Sequence, residues 1–128
     1  MSPIVLAMYD VLRVRTPKPV PRKALISVGE LVVELYRYEG VPGDLGHRGD
    51  PRLDEAVLTV VEICDALELP PLPALITGDG EFGPLPVFAR ERYSNLQGDR
   101  EKMLSAWEKD LKDVAITFYP DELEIEEE

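Results

Sequence analysis

Apolar positions recur at helical spacing in four stretches of the chain. In PIVLAMYDVLRV, residues Ile4, Val5, Met8, Val11 and Leu12 fall on one face. Ser2 precedes them as an N-cap, and Pro3 occupies the first turn, where its missing N–H costs nothing. SVGELVVELYRYEG opens with a capping-box pattern, Ser27 followed three residues on by Glu30. Its face is Leu31, Val32, Leu35 and Tyr38, and Gly40 and Pro42 are expected to end it. Asp50-Pro51 reads as the N-cap and first-turn proline of RLDEAVLTVVEICDALEL. There Leu53, Val57, Val60, Cys64 and Leu67 repeat at helical spacing, with Ala56, Val61 and Ile63 widening the stripe, so this is expected to be the most buried helix. The fourth stretch, GDREKMLSAWEKDLKD, takes Asp99 as its N-cap and Met103, Leu104, Trp107 and Leu111 as its face.

Between the third and fourth stretches the pattern changes. LELPPLPALITGDGEFGP, residues 67–84, holds Pro70, Pro71 and Pro73, which stop a helix and impose an extended path. PALIT then predicts a short strand, GDGEFG a hairpin turn, and PLPVFARERY a second strand or a loop. Pro84 and Pro86 confine that second segment to an edge. VAITFY predicts a C-terminal strand that Pro120 closes. The fold class expected is α+β: a small domain of helices, a β-hairpin and a C-terminal strand. Residues 1–24 read as an N-terminal helix and a proline-rich basic linker, RTPKPVPRKA, together an appended arm. Residues 25–119 form the domain, and residues 120–128 form an acidic tail in which DELEIEEE has six acids among eight residues. A chain of 128 residues that is 45% apolar suits one core.

Charge sharpens this picture. The net charge is −11, and it is polarised. Residues 1–29 carry five basic side chains and one acid, whereas residues 30–128 carry nine basic and 24 acidic ones. A domain that neutralises phosphates normally has the opposite sign. Direct nucleic-acid binding is therefore the less favoured expectation, and a protein partner with a basic surface the more favoured one. Acidity also serves solubility alone. The apolar runs are about half a membrane span, so no membrane association is expected. The N-terminus lacks a basic region before its apolar run, and Asp10 interrupts that run, which points to a cytoplasmic protein. Cys64 is the single cysteine, so no internal disulfide forms.

Candidate chemistry is sparse. His47, in GHRGD, has no identifiable nucleophile or orienting partner. Cys64 sits on an apolar helical face, as core cysteines do. Together they are too few for a zinc site, which needs three or four ligands. GDGEFG lacks the Gly-Lys-Ser/Thr of a phosphate loop and the acid count of a calcium loop. Glu30, Glu34, Asp54, Glu55 and Glu62 recur without a histidine, at a spacing that fits solvated helix faces. No catalytic, cofactor-binding or metal-binding residue is expected. What remains is a stripe of acids on the third helix, Asp54, Glu55, Glu62 and Asp65, expected to meet lysines and arginines of a protein partner.

Two stretches resemble a known family. ISVGELVVELY, Ile26–Tyr36, resembles the ITYGELA helix opening of the winged-helix fold found in the C-terminal half of DNA alkyltransferase-like proteins. EICDALELPPLPALIT, Glu62–Thr77, is similar to the helix, Leu-Pro-Pro-Leu turn and Val-Val-Asn strand of small phage and bacterial proteins with such a domain. GEFGPLPVF and AWEKDLKDVAITFY stand where those proteins have a Gly-x-Pro-Gly loop and a W…L..VFA..W ending. The resemblance spans residues 25–119 and implies a winged-helix-like domain. It departs at the nucleophile: the family's Pro-Cys-His-Arg is replaced by Pro-Ala-Leu-Ile, Pro73 to Ile76, so alkyl transfer is not implied. The implied recognition helix falls on Arg52–Glu68, where Asp54, Glu55, Glu62, Asp65 and Glu68 stand against Arg52 alone. Such a helix suits a phosphate-lined groove poorly.

The function expected first is a non-enzymatic acidic interaction protein. A phage or mobile-element inhibitor would fit, one that binds a nucleic-acid-handling complex of CRISPR or restriction type as a DNA mimic. The alternative is a winged-helix DNA- or RNA-binding accessory or regulatory protein that uses the basic arm Arg13–Lys23. An enzyme built around His47 ranks last.

Overall fold

The computed structural model describes residues 2–15, 25–46, 50–78, 82–96 and 98–118. Within them the order is α1 (Pro3–Arg15), β1 (Ile26–Ser27), α2 (Val28–Leu35), α3 (Pro51–Ala66), β2 (Ile76–Thr77), α4 (Pro86–Arg92) and α5 (Arg100–Phe118). Single 3-10 turns, Leu72–Leu75 and Ser94–Leu96, precede β2 and α5. The sheet is two-stranded and parallel, pairing Ile26 with Ile76 and Ser27 with Thr77. Parallel strands need a long crossover, and α2 and α3 lie within it. The architecture is thus helices around a small parallel sheet.

The helix starts follow the caps in the sequence. Ser2 Oγ accepts the Ile4 N–H at 3.2 Å, and Ser27 Oγ accepts the Glu30 N–H at 3.2 Å. Asp50 caps α3 through the Arg52 N–H at 2.9 Å, with Pro51 in the first turn. Asp99 caps α5 through the Lys102 N–H at 3.1 Å. The α3 terminus is set by Glu68, whose φ of 57° lets the Leu69 N–H reach back to the Cys64 carbonyl at 2.8 Å. Pro70 and Pro71 come after this turn and carry the chain onward. Helix α2 ends at Leu35, before Gly40 and Pro42. Residues 36–40 turn instead, and Gly40 has φ 87°, with Pro3 so close that a Cβ there would come within 3.0 Å of it.

Four helices contribute their expected faces to the core. Ile4, Val5, Met8, Val11 and Leu12 of α1 are buried with Leu31, Val32 and Leu35 of α2. Residues Pro3–Arg15, read from the sequence as part of an appended arm, pack this face against α2 and α3. Helix α3 buries Leu53, Ala56, Val57, Val60, Val61 and Cys64, while Leu67, expected on that face, is exposed past the helix end. Tyr38 links α1 to the end of α2, its hydroxyl donating to Asp10 Oδ2 at 2.5 Å.

Two strand expectations are corrected. The C-terminal strand over VAITFY does not form: α5 continues through Phe118. Val114 and Ala115 are buried and extend the stripe of Trp107 and Leu111, whereas Ile116 is half exposed. Burial with helical period overrides the β preference of Val, Ile and Thr. The hairpin is reduced, among the described residues, to one antiparallel bridge between Thr77 and Pro84, with the Leu85 N–H on the Ile76 carbonyl at 3.2 Å. Pro84 and Pro86 have no N–H to continue a ladder, and Pro86 instead opens α4, which buries Phe88 and Ala89. PALIT, expected as strand, is divided: Pro73–Leu75 belong to a buried 3-10 turn over Leu72–Leu75, and only Ile76–Thr77 pairs. Part of the expected GDGEFG turn, residues 79–81, lies outside the described residues.

Trp107 is fully buried and its indole N–H donates to the Ala74 carbonyl at 2.7 Å. Phe82 stands edge-on to it with ring centroids 5.2 Å apart. Trp107→Ala is expected to destabilise the fold by about 3–5 kcal/mol in urea denaturation. Trp107→Phe retains most of the buried area and should cost about 1–3 kcal/mol through the unpaired carbonyl. An unchanged midpoint in both would contradict this packing.

The Tyr38 phenol is pushed up to about 12, first by its hydrogen bond to Asp10 and then by burial. In the unfolded chain tyrosine ionises near about 10. The bond's contribution is therefore complete below the unfolded value and declines as pH rises toward the folded one. Thermal melting from neutral to strongly alkaline pH should show a steeper alkaline loss in the wild type than in Tyr38→Phe. Parallel curves would remove Tyr38 from the account.

Candidate interaction surface

Helix α3 packs against α1 on one side and α4 on the other. Its apolar stripe faces inward, which turns Glu55, Glu62 and Asp65 to solvent and leaves Asp54 half-buried at the edge. Among the described residues, none of these four carboxylates pairs with a lysine or arginine within 4.0 Å.

The two helix–helix seams divide the acids. Between α1 and α3 lies a groove of about 480 Å³ with Ile4, Val5 and Ala56 along it and Arg52, Glu55 and Thr59 at its edge. Between α3 and α4 lies one of about 320 Å³ lined by Leu58, Val61, Glu62, Asp65, Glu91 and Arg92. Glu62 and Asp65 therefore share a groove, Glu55 lines the other, and Asp54 lines neither.

Arg52, the one basic residue of α3, is occupied elsewhere. Its Nη2 donates to Asp50 Oδ2 at 2.8 Å and its Nε to Asp50 Oδ1 at 3.1 Å. Its Nη1 reaches Asp44 Oδ1 at 3.1 Å. Asp50 Oδ2 also accepts the Gly46 N–H at 2.9 Å. These donors, Arg52 foremost, hold the Asp50 carboxyl far below the usual carboxylate range. His47 lies outside the described residues.

Arg92 is likewise committed. Its Nε donates to Asp110 Oδ2 at 2.7 Å and its Nη2 to Oδ1 at 3.2 Å, a two-pronged pair between α4 and α5. The Tyr93 hydroxyl donates to the same Oδ2 at 2.5 Å. Asp110 is buried, being 8% exposed. Burial and then Asp110 push the Tyr93 phenol well above its ordinary value. Asp110, and more weakly Asp65, hold Arg92 in its charged form.

Cys64 is fully buried, and burial pushes its thiol above the ordinary value, which disfavours the nucleophilic thiolate. Among the described residues no three His, Cys, Asp or Glu side chains gather closely enough to hold a metal ion. No helix of the described residues is long and apolar enough to cross a membrane.

Comparison with family models, with curated proteins and with solved structures finds no match to this chain.

Four groove residues were not singled out in the sequence: Thr59 beside α1, and Leu58, Glu91 and Arg92 beside α4. Reading PLPVFARERY as strand or loop left α4 out of the picture. The available signal was the spacing of Leu85, Phe88 and Ala89 behind a first-turn proline, which is helical.

Asp110→Asn retains a partner for Tyr93 but leaves the Arg92 charge poorly matched. It should cost about 1.5–3 kcal/mol in urea denaturation, the range for hydrogen bonds to charged groups. Asp113→Asn, an exposed change on the same helix, should stay within about 0.5 kcal/mol. Equal effects would mean that the α4–α5 link carries no stability.

Proposed function

We propose that this chain is a non-enzymatic acidic interaction protein that uses the outer face of α3 to bind a basic surface on a nucleic-acid-handling protein. In this reading it acts in the cytoplasm and occupies a groove that otherwise holds nucleic acid. A phage or mobile-element inhibitor of a CRISPR or restriction complex is the biological setting that fits. The observation that supports it is the α3 face itself: Glu55, Glu62 and Asp65 exposed, Asp54 at the edge, and none of the four paired with a cation within 4.0 Å among the described residues.

Surface acids kept only for solubility tend to be interspersed with bases. Here α3 has a single base, and that base is engaged by Asp44 and Asp50. The winged-helix-like reading of residues 25–119 belongs to the same proposal. By the resemblance α3 takes the recognition-helix position, and its acids make it a partner for protein cations rather than for phosphates.

Opposed charges at an interface chiefly raise the association rate and set specificity. Asp54→Lys/Glu62→Lys should therefore slow association with the partner purified from the host by about tenfold or more at low salt, and flatten the salt dependence. Melting should fall only slightly, because Glu62 is exposed while Asp54, half-buried in the first turn of α3, loses a helix-dipole interaction of about 0.3–1 kcal/mol. Stopped-flow or surface-binding rates at two salt concentrations make the test. Identical rates for wild type and variant would reduce the charge to solubility. Binding of duplex DNA by the wild type at physiological salt would put a nucleic-acid-binding accessory role in its place.

A further inference from the structure

The α3–α4 groove has a mixed chemistry that fits one kind of side chain. Its apolar part is Leu58, half-buried, and Val61, buried. Glu62 and Asp65 from α3 and Glu91 from α4 are exposed around it. Arg92 completes the lining, and its guanidinium is already neutralised by the two-pronged pair with Asp110. Three carboxylates thus surround a space of about 320 Å³ beside an apolar surface, with Asp65 also contributing weakly to the field on Arg92.

We propose that this groove seats an arginine side chain of the basic partner, an assignment that rests on the function proposed above and names its central contact. An arginine carries a methylene stem that favours apolar surface and a charged head that favours carboxylates. Leu58 and Val61 suit the stem. Glu62, Asp65 and Glu91 suit the planar head, whose fork of donors can engage a carboxylate with two bonds. Lysine shares the stem, but its compact, strongly hydrated ammonium makes no such two-pronged pair. The α1–α3 groove is the poorer match, since among the described residues Glu55 is the one acid in its lining, against Glu62, Asp65 and Glu91 in the α3–α4 groove.

The test uses the full chain with nona-arginine and nona-lysine peptides as probes, titrated by calorimetry at low salt. Glu62→Gln/Asp65→Asn removes two charges from the groove with little change of shape. Glu101→Gln/Asp113→Asn removes two from exposed positions on α5. The groove pair should lose roughly tenfold in affinity for nona-arginine, and the α5 pair less than about twofold. Nona-arginine should bind wild type more tightly than nona-lysine, with the largest methyl shifts at Leu58 and Val61 in NMR spectra. Equal losses for the two pairs, or unshifted Leu58 and Val61 methyls, would overturn the groove assignment while leaving a diffuse acidic face. A wild type that binds neither peptide would overturn the acidic-face reading itself.

Discussion

The Ala74 carbonyl must be satisfied where no water reaches it, and Trp107 satisfies it. Pro71 and Pro73 fold the chain after α3 into a buried 3-10 turn, and a proline offers no N–H of its own to help pair the buried carbonyls. The indole of α5 supplies the missing donor. That one bond ties the last helix to the turn that delivers Ile76 and Thr77 beside Ile26 and Ser27. The turn also packs against α3 and α1, so the position of the acidic helix depends on it. The proline cluster is therefore a rigid corner of the core, and its stiffness lowers the entropy lost when the corner forms.

From this frame follows the electrostatic character of the surface. The two arginines that line the grooves beside α3, Arg52 and Arg92, are each tied to carboxylates of neighbouring segments: Arg52 to Asp44 and Asp50, Arg92 to Asp110. Both bonds organise the scaffold, one at the α3 cap and one across α4 and α5. Neither cation has Glu55, Glu62 or Asp65 within 4.0 Å, although Asp65 weakly favours the charged form of Arg92. A net charge of −11 already disfavours compaction through self-repulsion. The exposed acids of α3, which have no lysine or arginine within 4.0 Å among the described residues, do not relieve it.

The sequence revealed α1, α2, α3 and the first part of α5 because their signals are local. Ser2, Ser27, Asp50 and Asp99 each cap as their positions indicated, and the buried faces of α1, α2 and α3 follow the 3.6-residue period. It misled where local preference and tertiary packing disagree. Val114, Ile116 and Thr117 favour a strand individually, yet Val114 and Ala115 extend the Trp107–Leu111 stripe and keep the helix going. Parallel pairing of Ile26 with Ile76 joins residues 50 positions apart, and no short-range pattern encodes it. Of the surface, Asp54 is half-buried, whereas the exposure of Glu55, Glu62 and Asp65 was legible. Their sorting into two grooves was not, because it depends on α4, whose proline-rich start looked like an edge strand.

The measurement that tests the central claim most directly is native-state hydrogen exchange at the Trp107 indole N–H. A bond that holds the core corner in place should open only when the whole molecule unfolds. The account predicts an exchange free energy equal to the global stability measured by denaturation. Fast exchange while the backbone amides of α3 and α5 remain protected would contradict it, and would place the indole at a surface rather than at the centre of the fold.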